Sequence, residues 1–299
     1  MINSAKPKKS LGQNFLTSVG AINKIVDTAV RAVISEIGSP GDPISDINNA
    51  VILEVGPGRG VLTEALLKKF ERVIAVEKDD NLFEKLREKF ANEIKIKQLI
   101  LIHGDILKLS PKRLGLLDEN YAIVANIPYY ITGQFLRNWL SGEQIGEVEP
   151  RHIQPRFMVL MLQKEAAKRI VAQDKKESLL SISVKVYGQP KYIETVKRGS
   201  FYPIPKVDSA ILLINNISKN FFKNPEIRSP ENKEKIFFLL LHAGFAHKRK
   251  FLIKNLETDC PSKIKLQRVF MDCKISPSAR AEDVRLEDWK CLSTKLSKN

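Results

Sequence analysis

The sequence predicts an α/β fold: an open, doubly wound sheet followed by a small all-α C-terminal domain. Three observations predict it. Short β-branched runs alternate with longer amphipathic stretches over most of the 299 residues. Turns carrying glycine or an acid follow the first three of those runs. From Lys235 onward the periodicity is helical, with little strand character.

Taken in order, an N-terminal helical segment leads into Gly38–Asn49, a loop rich in Gly, Pro, Asp, Asn and Ser. Val51–Val55, Val73–Val76, Leu99–Ile102 and Ala122–Ala125 are short continuous apolar runs, the mark of parallel strands buried on both faces. Thr63–Phe70 and Asn81–Phe90 have helical spacing and few breakers. Further strands are expected at Arg156–Leu162, Tyr192–Lys197 and Ala210–Ile214, with a helix over Glu177–Tyr187. Asn215–Lys233 is polar, holds Pro225 and Pro230, and reads as a linker. The expected domains are therefore 1–215 and 216–299.

The charge is lopsided: 49 Lys and Arg against 34 Asp and Glu give +15, with a pI near 9.6. Over half of that excess lies in Asn216–Asn299, where 18 basic residues face 10 acidic ones. Such a balance suits a polyanion, either nucleic acid or an anionic membrane surface. No run approaches the ~20 apolar residues of a membrane span; the most apolar, Ile236–Ala246, is short and contains His242. Met1–Lys9 is polar and basic, unlike a signal peptide. Cys260, Cys273 and Cys291 are odd in number and lack metal-type spacing, so neither disulfide nor zinc site is expected. His103, His152, His242 and His247 are too dispersed for a ligand cluster, and no metal is expected. The reading is a reduced, cytoplasmic protein.

Gly56-Pro57-Gly58-Arg59-Gly60 lies between the first strand and a helix, where glycines let the backbone turn tightly beside a ligand. Glu77 ends the second strand, placed to accept hydrogen bonds from both hydroxyls of a ribose. Asp105 follows the third strand, placed to bind an adenine amino group. A nicotinamide dinucleotide is the obvious competitor, but its G-x-G-x-x-G fingerprint would need glycine where Val61 stands. The G-x-G-x-G spacing is more typical of sites for S-adenosyl-L-methionine, which has no pyrophosphate.

Asn126-Ile127-Pro128-Tyr129 directly follows the fourth strand. An exocyclic adenine amine is a poor nucleophile because its lone pair is delocalised into the ring. Two acceptors aimed at its hydrogens favour a pyramidal nitrogen, and the Asn126 side-chain oxygen and Ile127 carbonyl can supply them. Pro128 would fix the local backbone and Tyr129 would stack on the base. Positioning and preorganised dipoles then carry the chemistry without a strong base.

With these residues in view, the chain resembles the ribosomal RNA adenine dimethyltransferases over nearly its whole length. Gly12-Gln13-Asn14-Phe15-Leu16 is similar to the family's N-terminal cofactor motif, and Met161-Leu162-Gln163-Lys164-Glu165 to its segment after the fifth strand. Phe201-Tyr202-Pro203-Ile204-Pro205-Lys206-Val207-Asp208-Ser209 resembles its F-x-P-x-P-x-V-D-S motif. Phe245–Lys250 and Ser278-Ala279-Arg280-Ala281-Glu282 resemble signatures of its helical domain. The resemblance implies a class I, Rossmann-like methyltransferase sheet, and cofactor contacts at Gln13, Asn14, Leu16, Gly56, Gly58, Glu77, Asp105 and Asn126. It implies that Tyr129 and Phe201 hold the target base between them, the surrounding prolines favouring a surface loop for Phe201. It also implies dimethylation of two adjacent adenines in small-subunit RNA, on RNA or an immature 30S subunit, by a monomer. Lys8 and Lys9, with Lys6, and Lys248, Arg249 and Lys250 are candidate RNA-backbone contacts. Two departures stand out: Ile127 where many members have Leu, and His247-Lys248-Arg249-Lys250 where Gln-Arg-Arg-Lys is more usual. The antibiotic-resistance branch acting on large-subunit RNA is the nearest rival, and the Arg280-Ala281-Glu282 signature argues against it. DNA adenine methyltransferases usually carry two prolines in the tetrapeptide, and Ile127 argues against them.

Overall fold

The computed structural model describes Pro7, Lys8 and residues 11–36, 47, 49–116, 121–141, 154–223, 230–257 and 263–297. The chain divides into two compact units: Met1–Ala167 with Gln189–Ile217, and Lys168–Gly188 with Ser218–Asn299. Apart from Ile47 and Asn49, the expected loop Gly38–Asn49 lies outside the described residues, as do Lys6, Lys9, His152, Pro225 and Cys260.

In the first unit, β1 (Phe15–Leu16) precedes α1 (Val19–Glu36). Then β2 (Val51–Val55), α2 (Val61–Leu67), β3 (Arg72–Glu77), α3 (Asp80–Lys89), α4 (Ala91–Lys95) and β4 (Leu99–His103) alternate. After them come β5 (Tyr121–Asn126), α5 (Thr132–Ser141), β6 (Met158–Gln163) and α6 (Lys164–Val171), which runs into the second unit. Following α7 (Leu179–Lys185) of that unit, the chain returns with β7 (Gln189–Val196), β8 (Phe201–Tyr202) and β9 (Ser209–Asn215). Every expected strand is present, β2 at its expected bounds and the others with shifted ends.

Seven strands form one sheet in the order β4-β3-β2-β5-β6-β9-β7. Neighbours from β4 to β6 run parallel, and β9 lies antiparallel between β6 and β7. The strands β2, β5 and β6 are buried along their length because helices cover both faces, which explains their unbroken apolar character. Ile25, Phe70, Phe157 and Met161 belong to one buried cluster with the sheet. Chain direction away from β2 reverses between β3 and β5, so a crevice opens beyond their carboxyl ends.

A two-stranded ribbon of β1 and β8 stands apart from the sheet. Neither piece is long enough to show alternation in sequence, and neither was expected.

The second unit contains α7 with α8 (Pro230–Gly244), α9 (Leu252–Leu256), α10 (Lys263–Asp272) and α11 (Leu286–Leu296). Residues 168–188 therefore part from the expected boundary. The buried ring of Tyr187 stacks on Phe238, tilts against Phe222, and its hydroxyl donates to Glu234. Glu177 likewise donates its N–H to the carbonyl of Glu282. The expected polar linker is corrected at both ends. Phe222 is buried, and the buried Lys233 ammonium donates to the Phe221 carbonyl at 2.6 Å while lying 4.0 Å from that ring's centre.

A further correction concerns the cysteines: Cys273, just beyond α10, is disulfide-bonded to Cys291 on α11, their Cα atoms 5.8 Å apart. Separation by 18 residues gives no hint that the two helices bring these positions together.

Candidate active site

The crevice at the strand ends forms a cleft. Its first wall is the loop after β2. The Gly56 N–H bonds the Val76 carbonyl at 2.9 Å, tying the loop to β3. Gly58 has φ +61, and a Cβ there would stand 3.0 Å from the Phe15 ring. Gly56 and Gly58 line the cleft. Gly60 does not, and its need is packing: at φ +73, a Cβ would lie 2.6 Å from Phe90 Cε2.

Glu77, at the end of β3, is buried and joins both loops. Its carboxylate accepts from the N–H groups of Gly58 at 3.0 Å and of Lys78 and Asp79 at 2.9 Å each. Burial raises its pKa, and the three N–H donors recover part of that shift. One strand inward, Glu54 is 1 % exposed and burial pushes its carboxyl up to about 8; Thr63 opposes this and Glu77 adds to it. Two neighbouring carboxyls thus have distinct environments: Glu54 is held neutral while Glu77 faces the cleft with hydrogen-bond donors around it.

Asp105 follows β4. One oxygen accepts from the Leu107 N–H at 3.0 Å, the other from the Lys78 ammonium at 2.8 Å. Burial works to raise this carboxyl, but Lys78 and the Leu107 N–H outweigh it and hold the group below the usual range.

Beyond β5, the Asn126 side-chain amide donates to the Asn14 carbonyl at 3.1 Å. The Ile127 N–H continues the sheet by bonding the Met161 carbonyl at 3.0 Å. Pro128, at φ −56, precedes a short 3₁₀ turn over Tyr129–Ile131. The Tyr129 hydroxyl shares a 2.7 Å hydrogen bond with Ser209 at the head of β9. That bond links the tetrapeptide to the end of the F-x-P-x-P-x-V-D-S segment.

The structure therefore gathers Gly56, Gly58, Glu77, Asp105 and Asn126–Tyr129 around one cleft, with Gln13 and Asn14 on its N-terminal wall. Leu16 is elsewhere: it lies buried in β1, opposite Phe201 in the ribbon register. Phe201 departs from its expected surface loop. It is 3 % exposed, belongs to the core cluster and does not line the cleft. The prolines flanking it do shape a surface loop, but Phe201 is the inward residue of β8 and Tyr202 the outward one. Lys8, expected on RNA, pairs with Asp79 at 2.9 Å, and Gln13 donates to the same carboxylate at 3.0 Å. Asp79 also caps α3 by accepting from Asn81 and Leu82, the service its place before a helix suits it for. Lys78 and Asp79 were missed, and Phe15, inside the N-terminal motif, and Tyr130, next to the tetrapeptide, were given no contact of their own. Of the first two, only Asp79 carried a legible signal, as an N-cap. Lys248, Arg249 and Lys250 belong to the second unit, all exposed on the turn after α8. Asn255 braces that turn by donating to the carbonyls of Gly244 and His247.

A family profile described as "Ribosomal RNA adenine dimethylase" matches residues 4–298. The chain belongs to that family. Among its relatives is the "Ribosomal RNA small subunit methyltransferase A" of Dehalococcoides mccartyi (strain CBDB1), 39 % identical over 296 residues, covering 98 % of this chain and 90 % of that one. The protein of the same name from Fusobacterium nucleatum is 33 % identical, with 95 % of each chain covered. Among solved structures, the 23S rRNA methyltransferase ErmE superposes with a TM-score of 0.68 at 22 % identity, covering 95 % of this chain and all of that one. A dimethyladenosine transferase from Plasmodium falciparum gives 0.69 at 23 % identity, covering 93 % and 95 %. The fold of this ribosomal RNA adenine dimethylase is the class I methyltransferase sheet with a helical C-terminal region.

Proposed function

We infer that this chain dimethylates the N6 amino groups of two adjacent adenines near the 3′ end of small-subunit ribosomal RNA; its relatives' names support the small subunit and its family's name supports adenine dimethylation. The observation that carries the reading is the Asn126 amide, oriented by the Asn14 carbonyl at the switch point of the sheet.

The donor set fits S-adenosyl-L-methionine. Glu77 presents a carboxylate for ribose hydroxyls, Asp105 one for an adenine amine, and the backbone at Gly56 and Gly58 leaves room beside them. Gln13 and Asn14 close the N-terminal side of the same space. When bound, the cofactor supplies an electrophilic methyl group on a positively charged sulfur. The chain's own residues position the amine: the Asn126 Oδ1 and the Ile127 carbonyl accept its two hydrogens and direct its lone pair. As the nitrogen becomes alkylated it turns acidic, and its proton leaves to water without a dedicated base. Tyr129 offers a ring to one face of the base, held in place through Ser209. Phe201, enclosed in the core, serves instead to anchor β8 against Leu16.

Action as a monomer is proposed. Among the described residues no helix is long and apolar enough to cross a membrane; with an immature 30S subunit as substrate, the cytoplasm is the proposed compartment. Lys248, Arg249 and Lys250 are proposed to grip RNA phosphates. The deciding experiment supplies labelled methyl donor with unmethylated small and large ribosomal subunits and maps the modified bases. Dimethyladenosine in the small subunit alone is the expected result. Label in the large subunit, or on another base, overturns the reading.

A further inference from the structure

The ribbon of β1 and β8 places Tyr202 directly opposite Phe15, a residue of the cleft wall. Tyr202 is 55 % exposed, unusual for so large a ring held in a strand. Its position is not loose. The Arg59 guanidinium lies 4.5 Å from the Phe15 ring centre and 5.3 Å from that of Tyr202, bracing both by cation–π attraction. Arg59 itself stands between two glycines of the cleft loop, so ring, guanidinium and loop form one connected rim.

The loop bearing Tyr202 also exposes Ile204 and Val207. Lys197, Arg198 and Lys206 are exposed around it, against the single carboxylate of Asp208 between residues 197 and 208. An aromatic face within a basic, partly apolar surface is what single-stranded nucleic acid binds: bases stack on the ring, and cations meet the phosphates.

We propose that Tyr202, backed by Arg59, is the stacking seat for the nucleobase next to the adenine being methylated. The inference rests on the methyl-transfer reading above. A target base withdrawn from its stack leaves its neighbour with one uncovered face. Tyr202 stands one residue pair from the wall that orients Asn126, so it is placed to cover that face. Stacking tolerates any base, which suits a site that must accept either of two adjacent adenines as the neighbour.

The test uses the full chain with Tyr202→Ala, Tyr202→Phe and Tyr202→Trp. Three readouts are taken: calorimetric affinity for S-adenosylhomocysteine, KM and kcat on unmethylated small ribosomal subunits, and quenching of 2-aminopurine beside an adenine in a single-stranded hexaribonucleotide at low salt. Tyr202→Ala should raise KM for subunits about tenfold, leave cofactor-product affinity within about twofold and abolish the quenching. Phe and Trp should restore KM and quenching, since both keep the ring. An unchanged KM in Tyr202→Ala overturns the proposal, and so does an equal defect in Tyr202→Phe. A parallel loss of S-adenosylhomocysteine affinity also overturns it, because Tyr202 would then act through the glycine loop. If the wild type leaves small subunits unmethylated, the methyl-transfer reading fails by itself. The stacking seat is then decided by the hexaribonucleotide: quenching present in the wild type and lost in Tyr202→Ala sustains it, and absence of quenching ends it.

Discussion

The side-chain nitrogen of Asn126 donates to the main-chain carbonyl of Asn14 at 3.1 Å, across 112 residues of sequence. An amide nitrogen committed to a carbonyl leaves Oδ1 as the acceptor on its other side. The N-terminal wall therefore sets which way the Asn126 amide faces. Asn126→Ala should lower kcat by about a hundredfold or more while the protein still binds S-adenosylhomocysteine, read by labelled methyl transfer and by calorimetry. Asn126→Asp should fail as badly, because a carboxylate oxygen would confront the Asn14 carbonyl. Turnover near wild type in either variant removes Asn126 from its assigned role.

Glu77 holds three main-chain N–H groups and keeps its remaining acceptor capacity toward the cleft. Glu77→Gln retains the shape but loses the charge and one acceptor. We expect the affinity for S-adenosylhomocysteine to fall by about tenfold to a hundredfold, with kcat at saturating cofactor much less affected. Calorimetry checks the first and initial rates the second. Undiminished affinity would mean that the carboxylate serves the loops alone.

Gly60 tests whether the third glycine of the loop acts by packing. A Cβ there meets Phe90 at 2.6 Å and Leu86 at 2.8 Å, on a backbone at φ +73. The left-handed conformation costs about 1–2 kcal/mol for a residue with a Cβ, and forcing the contact adds about 1–3 kcal/mol. Gly60→Ala should therefore lower the denaturation midpoint clearly, while the fraction that stays folded binds S-adenosylhomocysteine normally. Weakened binding without lost stability would reassign Gly60 to the cofactor.

These residues also mark what the sequence could and could not show. Strands buried on both faces leave continuous apolar runs, so the sheet was legible, and with it the carboxyl ends where Gly56, Glu77, Asp105 and Asn126 converge. The ribbon of β1 and β8 was not legible, because two residues per strand carry no period. Phe201 was misread for that reason: its prolines signal a surface loop, but which of two adjacent aromatics turns inward depends on pairing with β1. Residues 168–188 were assigned to the first domain because sequence order is blind to the aromatic cluster that Tyr187 joins. Lys8 read as an RNA-backbone contact since its partner, Asp79, lies 71 residues further on.

Lys248, Arg249 and Lys250 form an exposed basic turn braced by Asn255. Counterion release makes phosphate contacts visible as a salt slope, with about 0.7–0.9 log unit per contact for each tenfold change in salt. The combined change of Lys248, Arg249 and Lys250 to Glu should weaken binding to small-subunit RNA most at low salt and flatten that slope, leaving S-adenosylhomocysteine affinity untouched. A slope identical to wild type, measured between dilute and moderate salt, would show that this turn does not touch phosphate.

Glu54 gives the protein a pH dependence whose sign can be worked out. Its carboxyl is fully buried, one of its oxygens has no hydrogen-bond partner in the protein, and burial raises it from the ordinary 4.5 to about 8. Below its ordinary value, folded and unfolded chains both hold the proton and the contribution to stability is fully present. Between 4.5 and about 8 the unfolded chain has released a proton that the folded chain keeps, so stability from this group falls by about 1.4 kcal/mol per pH unit. Above that window both forms are ionised and the loss is complete. Glu54→Gln has nearly the same shape and cannot ionise. Its stability relative to wild type should therefore climb steadily from pH 5 to pH 8 and then level, whatever its offset at pH 5. Denaturant titrations of both proteins across that range measure the difference, in which titrating groups not coupled to Glu54 cancel. Parallel curves would mean that Glu54 is ionised in the folded protein, and that the buried pair with Glu77 carries two charges rather than one.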